Sequence, residues 1–277
     1  MISQVKNIFL AAKDIDKSSK AFSIFFCKAP SYQGFSSELG IKIHIFDIGN
    51  VNISIISPYE DGLWSEDLRR NGEGLFGLDF ISDDIARDHK NLKLSGVLVG
   101  EKNMFTFQGN DKSITRLNLF GLDENLVTNL NITISDNSHI FPKEEKGEGY
   151  ENITSVNQVV ILTKDSNKML NLFEKDLGIR LALDKTFKEW SGRMLFFRLK
   201  GVTLEVIEGE DFVGKCNYYG LGWHTDNFIK SYENLVKKGF IFSKIRKGRK
   251  VGTLVATLNE PPLGIPTILI GQDGGVS

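Results

Sequence analysis

Short apolar runs that open on a polar residue and close on an acidic turn recur along this chain. Asn7-Ile-Phe-Leu-Ala-Ala-Lys-Asp14 and Gln158-Val-Val-Ile-Leu-Thr-Lys-Asp165 share one pattern: polar residue, apolar strand, Lys-Asp turn. Forty-seven residues beyond each polar residue lies another, inside a further apolar run: Ser54 in Val51–Ile56 and Glu205 in Val202–Ile207. Equal spacing in two places marks an internal repeat. The later pair carries Gln and Glu, side chains able to hold a metal or a proton. The earlier pair carries Asn and Ser, which do so poorly.

Read in order, the strand and helix signals fall into four similar units. The first has the strand Ile8–Ala12, an amphipathic stretch Asp16–Phe26, and strands Ile41–Ile48 and Val51–Ile56 joined by the turn Gly49-Asn50. The second opens at Gly74–Ile81, starts a helix at Asp83-Asp84 that reaches Leu94, and continues with strands near Val97–Val99, Phe105–Gln108 and Ile114–Phe120. The third copies the first: strand Val159–Thr163, helix Ser166–Asp176 stopped at Leu177-Gly178, then strands Arg180–Leu183, Arg193–Leu199 and Val202–Ile207 around the turn Lys200-Gly201. The fourth copies the second, with Gly220–Asn227 matching Gly77–Asp84. Its helix Phe228–Lys238 ends at Gly239, and strands Ile241–Ile245, Thr253–Leu258 and Thr267–Ile270 follow. A charged, glycine-containing stretch at 135–152 reads as a linker between residues 1–134 and 153–277. The expected fold class is therefore α+β, four βαβββ units paired into two domains.

Composition narrows the partners. With 41% apolar residues, 25% charged residues and a net charge of −1, the chain is an ordinary globular protein, with no electrostatic reason to meet nucleic acid or an anionic membrane. Neither a signal peptide nor a run of about 18 apolar residues is visible, which gives a cytoplasmic expectation. Cys27 and Cys216 fall in different halves and suggest no disulfide framework. There are only 4 histidines, and that scarcity limits every metal hypothesis.

The fourfold βαβββ order, with the stretches Gln158–Asp165, Leu177-Gly-Ile179, Arg193–Arg198, Leu204–Ile207, Arg246–Thr253 and Gly264–Thr267, resembles the vicinal-oxygen-chelate superfamily of glyoxalases, bleomycin-resistance proteins and extradiol dioxygenases. The likeness is to its bacterial two-domain glyoxalase-like members. It implies that paired units curl into cup-shaped domains with any metal on the concave face, held by the first and last strands of each unit. By that resemblance the C-terminal positions are Gln158, Glu205, Gly220 and one near Ile268-Leu269. The N-terminal positions are Asn7, Ser54, Gly77 and roughly Asn118, a degenerate set. The two-His, one-carboxylate pattern of extradiol dioxygenases is absent.

The expected site therefore lies in the C-terminal cup. Gln158 and Glu205 would hold one divalent ion (Zn, Ni, Mn or Fe) and serve glyoxalase-like lyase or isomerase chemistry. Glu205, desolvated among Val, Leu and Ile, also suits a general base. His224 is a second acid/base candidate, set back by about 13 Å from Gly220 at strand rise. Arg246 and Arg249, in a loop with Lys247 and Lys250, could clamp an anionic substrate, and Trp223 could line the cup. The competing reading is a metal-free small-molecule-binding or resistance protein of the same fold. A homodimer is left open by either.

Overall fold

In the computed structural model, residues 2–122, 130–137, 152–187, 192–209, 212 and 216–273 are described. Most of the 135–152 stretch, and Trp190, lie outside them. The first unit comprises β1 (Ile2–Ala11), α1 (Ile15–Phe26), β2 (Tyr32–Ser36), β3 (Ile41–Asp47) and β4 (Asn52–Pro58). A short helix, α2 (Leu63–Asn71), leads to the second unit: β5 (Gly74–Ser82), α3 (Ile85–Leu94), β6 (Asn103–Gly109), β7 (Ile114–Gly121) and β8 (Asn131–Asp136). The third contains β9 (Ser155–Thr163), α4 (Ser166–Leu170, widening into a π-turn at Asn171–Asp176), β10 (Arg180–Phe187), β11 (Gly192–Leu199) and β12 (Val202–Glu208). The fourth contains β13 (Asn217–Thr225), α5 (Phe228–Lys237), β14 (Arg246–Lys247), β15 (Thr253–Leu258) and β16 (Thr267–Gln272).

The acidic turn of the repeat has a physical job in every unit. Asp14, Asp84, Asp165 and Asn227 stand immediately before the four main helices. Each Oδ1 accepts the backbone N–H three residues on, at 2.9, 2.9, 3.0 and 3.1 Å. That bond satisfies one of the donors a helix start leaves unpaired and contributes about 1 kcal/mol. So the Asp or Asn fixes where strand gives way to helix.

The two halves share a strand order but differ in closure. In the N-terminal half the strands run β1-β4-β3-β2-β6-β7-β8-β5 and return on themselves as a closed barrel. The seam is short: Gly34 pairs with Gly109 and Phe35 with Gln108. A Cβ on Gly34 would lie 2.3 Å from the Gln108 carbonyl, so the close approach of β2 to β6 needs a residue without a side chain. In the C-terminal half the corresponding order, β10-β11-β12-β9-β13-β16-β15-β14, stays an open sheet. There β14 is only two residues long, where its counterpart β6 supplies seven.

Alternation then sorts the side chains. On the convex faces Leu10, Ile53, Ile55, Val159, Leu204 and Val206 are buried in one large core with the helices. The α1 face contributes Phe22, Phe25 and Phe26, each almost wholly buried and worth roughly 1.5–3 kcal/mol in transfer. Phe25 and Phe26 meet the Trp223 ring at 5.7 and 5.3 Å, joining the halves through aromatic packing. A polar latch lies nearby. Asn50, in the β3–β4 turn, donates through Nδ2 to the carbonyls of Val156 (2.8 Å) and Gly201 (2.9 Å), and its Oδ1 accepts the Val156 N–H at 2.9 Å. The two hairpin turns expected from the sequence thus meet each other. Among the described residues, no helix is long and apolar enough to cross a membrane.

Candidate functional site

The inward face of the N-terminal barrel carries its own apolar cluster, including Ile41, Ile43, Ile45, Ile56, Phe107 and Leu117. These side chains leave a cavity of about 340 Å³. α2 roofs it: Trp64 lies over Phe76 with ring centroids 4.9 Å apart, and Asp67 reaches the same lining. The volume is within the range of small-molecule sites.

The floor of this cavity is polar and completely built. Asp79, 1% exposed, accepts from Asn7 Nδ2 (3.0 Å) and Ser135 Oγ (2.8 Å) on Oδ2 and from Thr133 Oγ1 (2.9 Å) on Oδ1. Ser54 Oγ donates to Asn7 Oδ1 at 3.2 Å, which fixes the orientation of the Asn7 amide. Behind them the Lys6 ammonium donates to Ser135 Oγ (3.3 Å) and the Asp136 carbonyl (2.9 Å). Burial pushes the Asp79 carboxyl above the ordinary carboxylate range, while Lys6 and the three hydrogen bonds pull it back. Burial likewise lowers the Lys6 ammonium, opposed by Asp79 and Asp136. The two groups form a charge-balanced pair in an apolar barrel.

Register explains why Asp79 went unnoticed in the sequence. Bulges in β1 shift its pairing with β5, so Asn7 faces Asp79, and Gly77 faces Phe9. The fourth member of the ring is Thr133 on β8, opposite Asp79, rather than Asn118. β8 itself was not expected; its Ile132 and Ile134 are buried on the core side. Asn7, Ser54, Asp79 and Thr133 thus occupy the inward positions of all four central strands of the barrel.

In the C-terminal half the equivalent positions are Gln158, Glu205, Gly222 and Ile268, since Gln158 pairs with Gly222 and Gly222 with Ile268. Gly220, the position expected from the sequence, faces Val160. Gln158 Nε2 donates to Glu205 Oε2 at 2.6 Å, so the spacing of 47 residues does bring the pair together. A Cβ on Gly222 would lie 2.6 Å from Gln158 Cγ; the Gln158 side chain fills the space that a third inward side chain would need. Glu205 is 7% exposed, and burial raises its pKa, partly offset by the Arg249 charge.

The remaining candidates separate. Arg249 is near Glu205 and lies 5.9 Å from the Phe187 ring centroid. Arg246 is exposed on β14 and donates to Thr257 Oγ1 at 3.2 Å. His224 sits two residues beyond Gly222, partly exposed, with Nε2 3.7 Å from Asp226 Oδ1. Trp223 points to the opposite face and is 1% exposed against Phe25 and Phe26, so it is a core residue and does not line the cup. Arg249, Glu205 and Gln158 share one region, and Trp223 stands outside it.

A divalent ion fits neither ring. Among the described residues no three His, Cys, Asp or Glu side chains come together as a metal-holding group. In the C-terminal cup the single carboxylate is already bonded to an amide N–H, Gly222 and Ile268 offer no donor atoms, and Arg249 adds positive charge. At the barrel floor the single carboxylate, Asp79, has three hydrogen bonds and a lysine behind it. Calcium and magnesium need more oxygen ligands than this, and zinc or iron a richer set of N, S or carboxylate donors.

Residues 157–257 match the family model described as Glyoxalase/Bleomycin resistance protein/Dioxygenase superfamily. No curated protein matches. Among solved structures, a variant of 4-hydroxymandelate synthase from Streptomyces coelicolor superposes with a TM-score of 0.73 at 13% identity, covering 100% of this chain and 94% of that one. The Mn(II)-bound glyoxalase from Novosphingobium aromaticivorans gives 0.65 at 11% identity, covering 98% and 82%. A hypothetical protein from Staphylococcus aureus gives 0.65 at 9% identity, covering 98% and 100%. At such identities the likeness speaks to the fold alone.

Proposed function

We propose that this chain, a member of the vicinal-oxygen-chelate superfamily, binds a small and largely apolar molecule inside its N-terminal barrel, without a metal ion. One observation carries the reading: a cavity of about 340 Å³ with isoleucine, phenylalanine and leucine walls and a pre-formed polar floor. Apolar walls supply the driving force for binding, and a few fixed polar groups supply orientation. Every floor residue is held by a second one, so little ordering remains to be done when a ligand arrives.

Proton-transfer chemistry in the C-terminal cup is the second reading, favoured by Glu205. A buried carboxylate with a raised pKa is suited to exchange a proton, and Arg249 could hold an anionic substrate beside it. The Mn(II) of the glyoxalase neighbour has no matching donor set here, so this reading too is written without a metal.

Thermal shift with naphthalene and indole, on the wild-type chain and on Leu117→Trp, tests the barrel. Filling the cavity should abolish the shift while leaving the fold intact. At a ligand concentration of ~100 Kd the stabilisation is about 2.7 kcal/mol. Elemental analysis after purification without chelator, then after incubation with Zn, Ni, Mn and Fe, should find well under one metal per chain. One tightly held ion per chain, or shifts that survive Leu117→Trp and vanish in Glu205→Ala, would overturn the assignment.

A further inference from the structure

We infer that the ligand of the barrel is an electrically neutral molecule with an apolar ring body and a hydroxyl at one end, read by Asp79 and Asn7; this rests on the barrel-binding reading above. The argument starts from what the floor has left to offer. A carboxylate has about four lone-pair sites. Three of those on Asp79 are taken by Asn7, Ser135 and Thr133, and among the described residues Oδ1 accepts only from Thr133. Asn7 Nδ2 carries two hydrogens, of which Asp79 takes one. Both residues line the cavity. The floor therefore presents one acceptor and one donor side by side. A hydroxyl is the simplest group that answers both, donating to Asp79 Oδ1 and accepting from Asn7 Nδ2.

Charge decides against the alternatives. Lys6 lies behind Asp79 and balances it, while Asp136, which also acts on Lys6, is half-exposed and screened by water. An ammonium head would donate to Asp79 but would bring a second cation to a pair already balanced. A carboxylate head would meet the Asp79 carboxylate directly. Asp67, the other carboxylate of the lining, stands on the roof helix α2 and takes the Asn71 amide, so either head at the floor would carry an uncompensated charge into an apolar barrel, where such a charge is costly. A ligand with no polar head would cover the remaining Asp79 and Asn7 sites without bonding them, a smaller penalty but a real one. A neutral hydroxyl avoids each cost.

The test is a panel on one ring system, measured by calorimetry at pH 7 on the wild-type chain: 2-naphthol, 2-methoxynaphthalene, naphthalene, 2-naphthoate and 2-(aminomethyl)naphthalene. The expected order puts 2-naphthol about tenfold tighter than naphthalene, the methoxy compound near naphthalene, and the two charged compounds weakest. In the charge-neutral double variant Lys6→Met/Asp79→Asn the advantage of 2-naphthol over naphthalene should fall below about threefold. Naphthalene binding as tightly as 2-naphthol, or the amine binding tightest, would overturn the hydroxyl assignment while leaving the barrel as the site. Failure of every probe to bind would remove the barrel reading itself.

Discussion

The pairing of Lys6 with Asp79 can be measured without any ligand. Asp79→Asn keeps the shape but replaces one carboxylate oxygen by an NH2 group amid three donors, Asn7 Nδ2, Thr133 Oγ1 and Ser135 Oγ. Rotating the new amide can save the two bonds on Oδ2, at the strength of neutral rather than charge-assisted bonds. Losing that assistance costs about 1 kcal/mol per bond, and the stranded Lys6 ammonium adds to it, for a total of about 3 kcal/mol. Lys6→Met removes the cation but leaves Asp79 solvated by its three donors, so about 2 kcal/mol is expected. In the double variant the two charge penalties cancel. Its destabilisation should fall short of the sum of the singles by about 1.5 kcal/mol. Urea unfolding at pH 7, followed by far-UV circular dichroism and tryptophan fluorescence, reads this from the midpoints provided the slopes agree. Additivity to within about 0.4 kcal/mol would refute the reasoning, because it would mean that the two charges do not sense one another across Ser135.

Glu205→Gln should stabilise the chain at pH 7 by about 1 kcal/mol, or roughly 2–4 °C, since it removes a desolvated charge and keeps an amide partner for Gln158. The sign follows from the raised pKa of Glu205: the native state holds its proton more tightly, so stability falls as pH rises from the unfolded value through the folded one. The advantage of the variant over wild type should therefore shrink as pH is lowered from 7 toward 5 in parallel thermal melts, and an advantage that stays constant would contradict it. Asn50→Ala removes three bonds between the halves and strands the Val156 N–H, at a cost of about 2–3 kcal/mol to their coupling. Calorimetry should then show an unfolding endotherm broader than that of wild type, or split, with an unchanged profile counting against the latch.

Most of the architecture could be read from the chain because it repeats. The cap residues Asp14, Asp84, Asp165 and Asn227, the turns Gly49-Asn50 and Lys200-Gly201, and the inward pairing of Gln158 with Glu205 are all local or spaced signals. What was missed needs three dimensions. Bulges in β1 move Asp79 into the position that simple matching of repeats gives to Gly77, and a bulge leaves no mark in an apolar run. Asp79 between Leu78 and Phe80 was the available hint: an acid inside a strand otherwise apolar. α2 and β8 were overlooked because Leu63–Asn71 is mostly polar and Asn131–Asp136 is short. The strand expected at Ile241–Ile245 is reduced to one bridge from Phe242 to Leu258, with pairing resuming at Arg246. Whether a cup closes depends on whether two distant strands can approach, which Gly34 permits and no periodicity announces.

Closure has a consequence for assembly. A barrel that returns on itself pairs each of its strands with two neighbours, so the N-terminal half exposes strand edge only beside the short β2–β6 seam among the described residues. Among the described residues the open sheet leaves the outer sides of β10 and β14 without a strand beside them, and β10, eight residues long and largely exposed, is the longer of the two. A partner that joins this protein by adding a strand therefore finds its longest open edge on β10, in the C-terminal half. One sequence plan, used twice, has put an enclosed cavity in one half and the longest open sheet edge in the other.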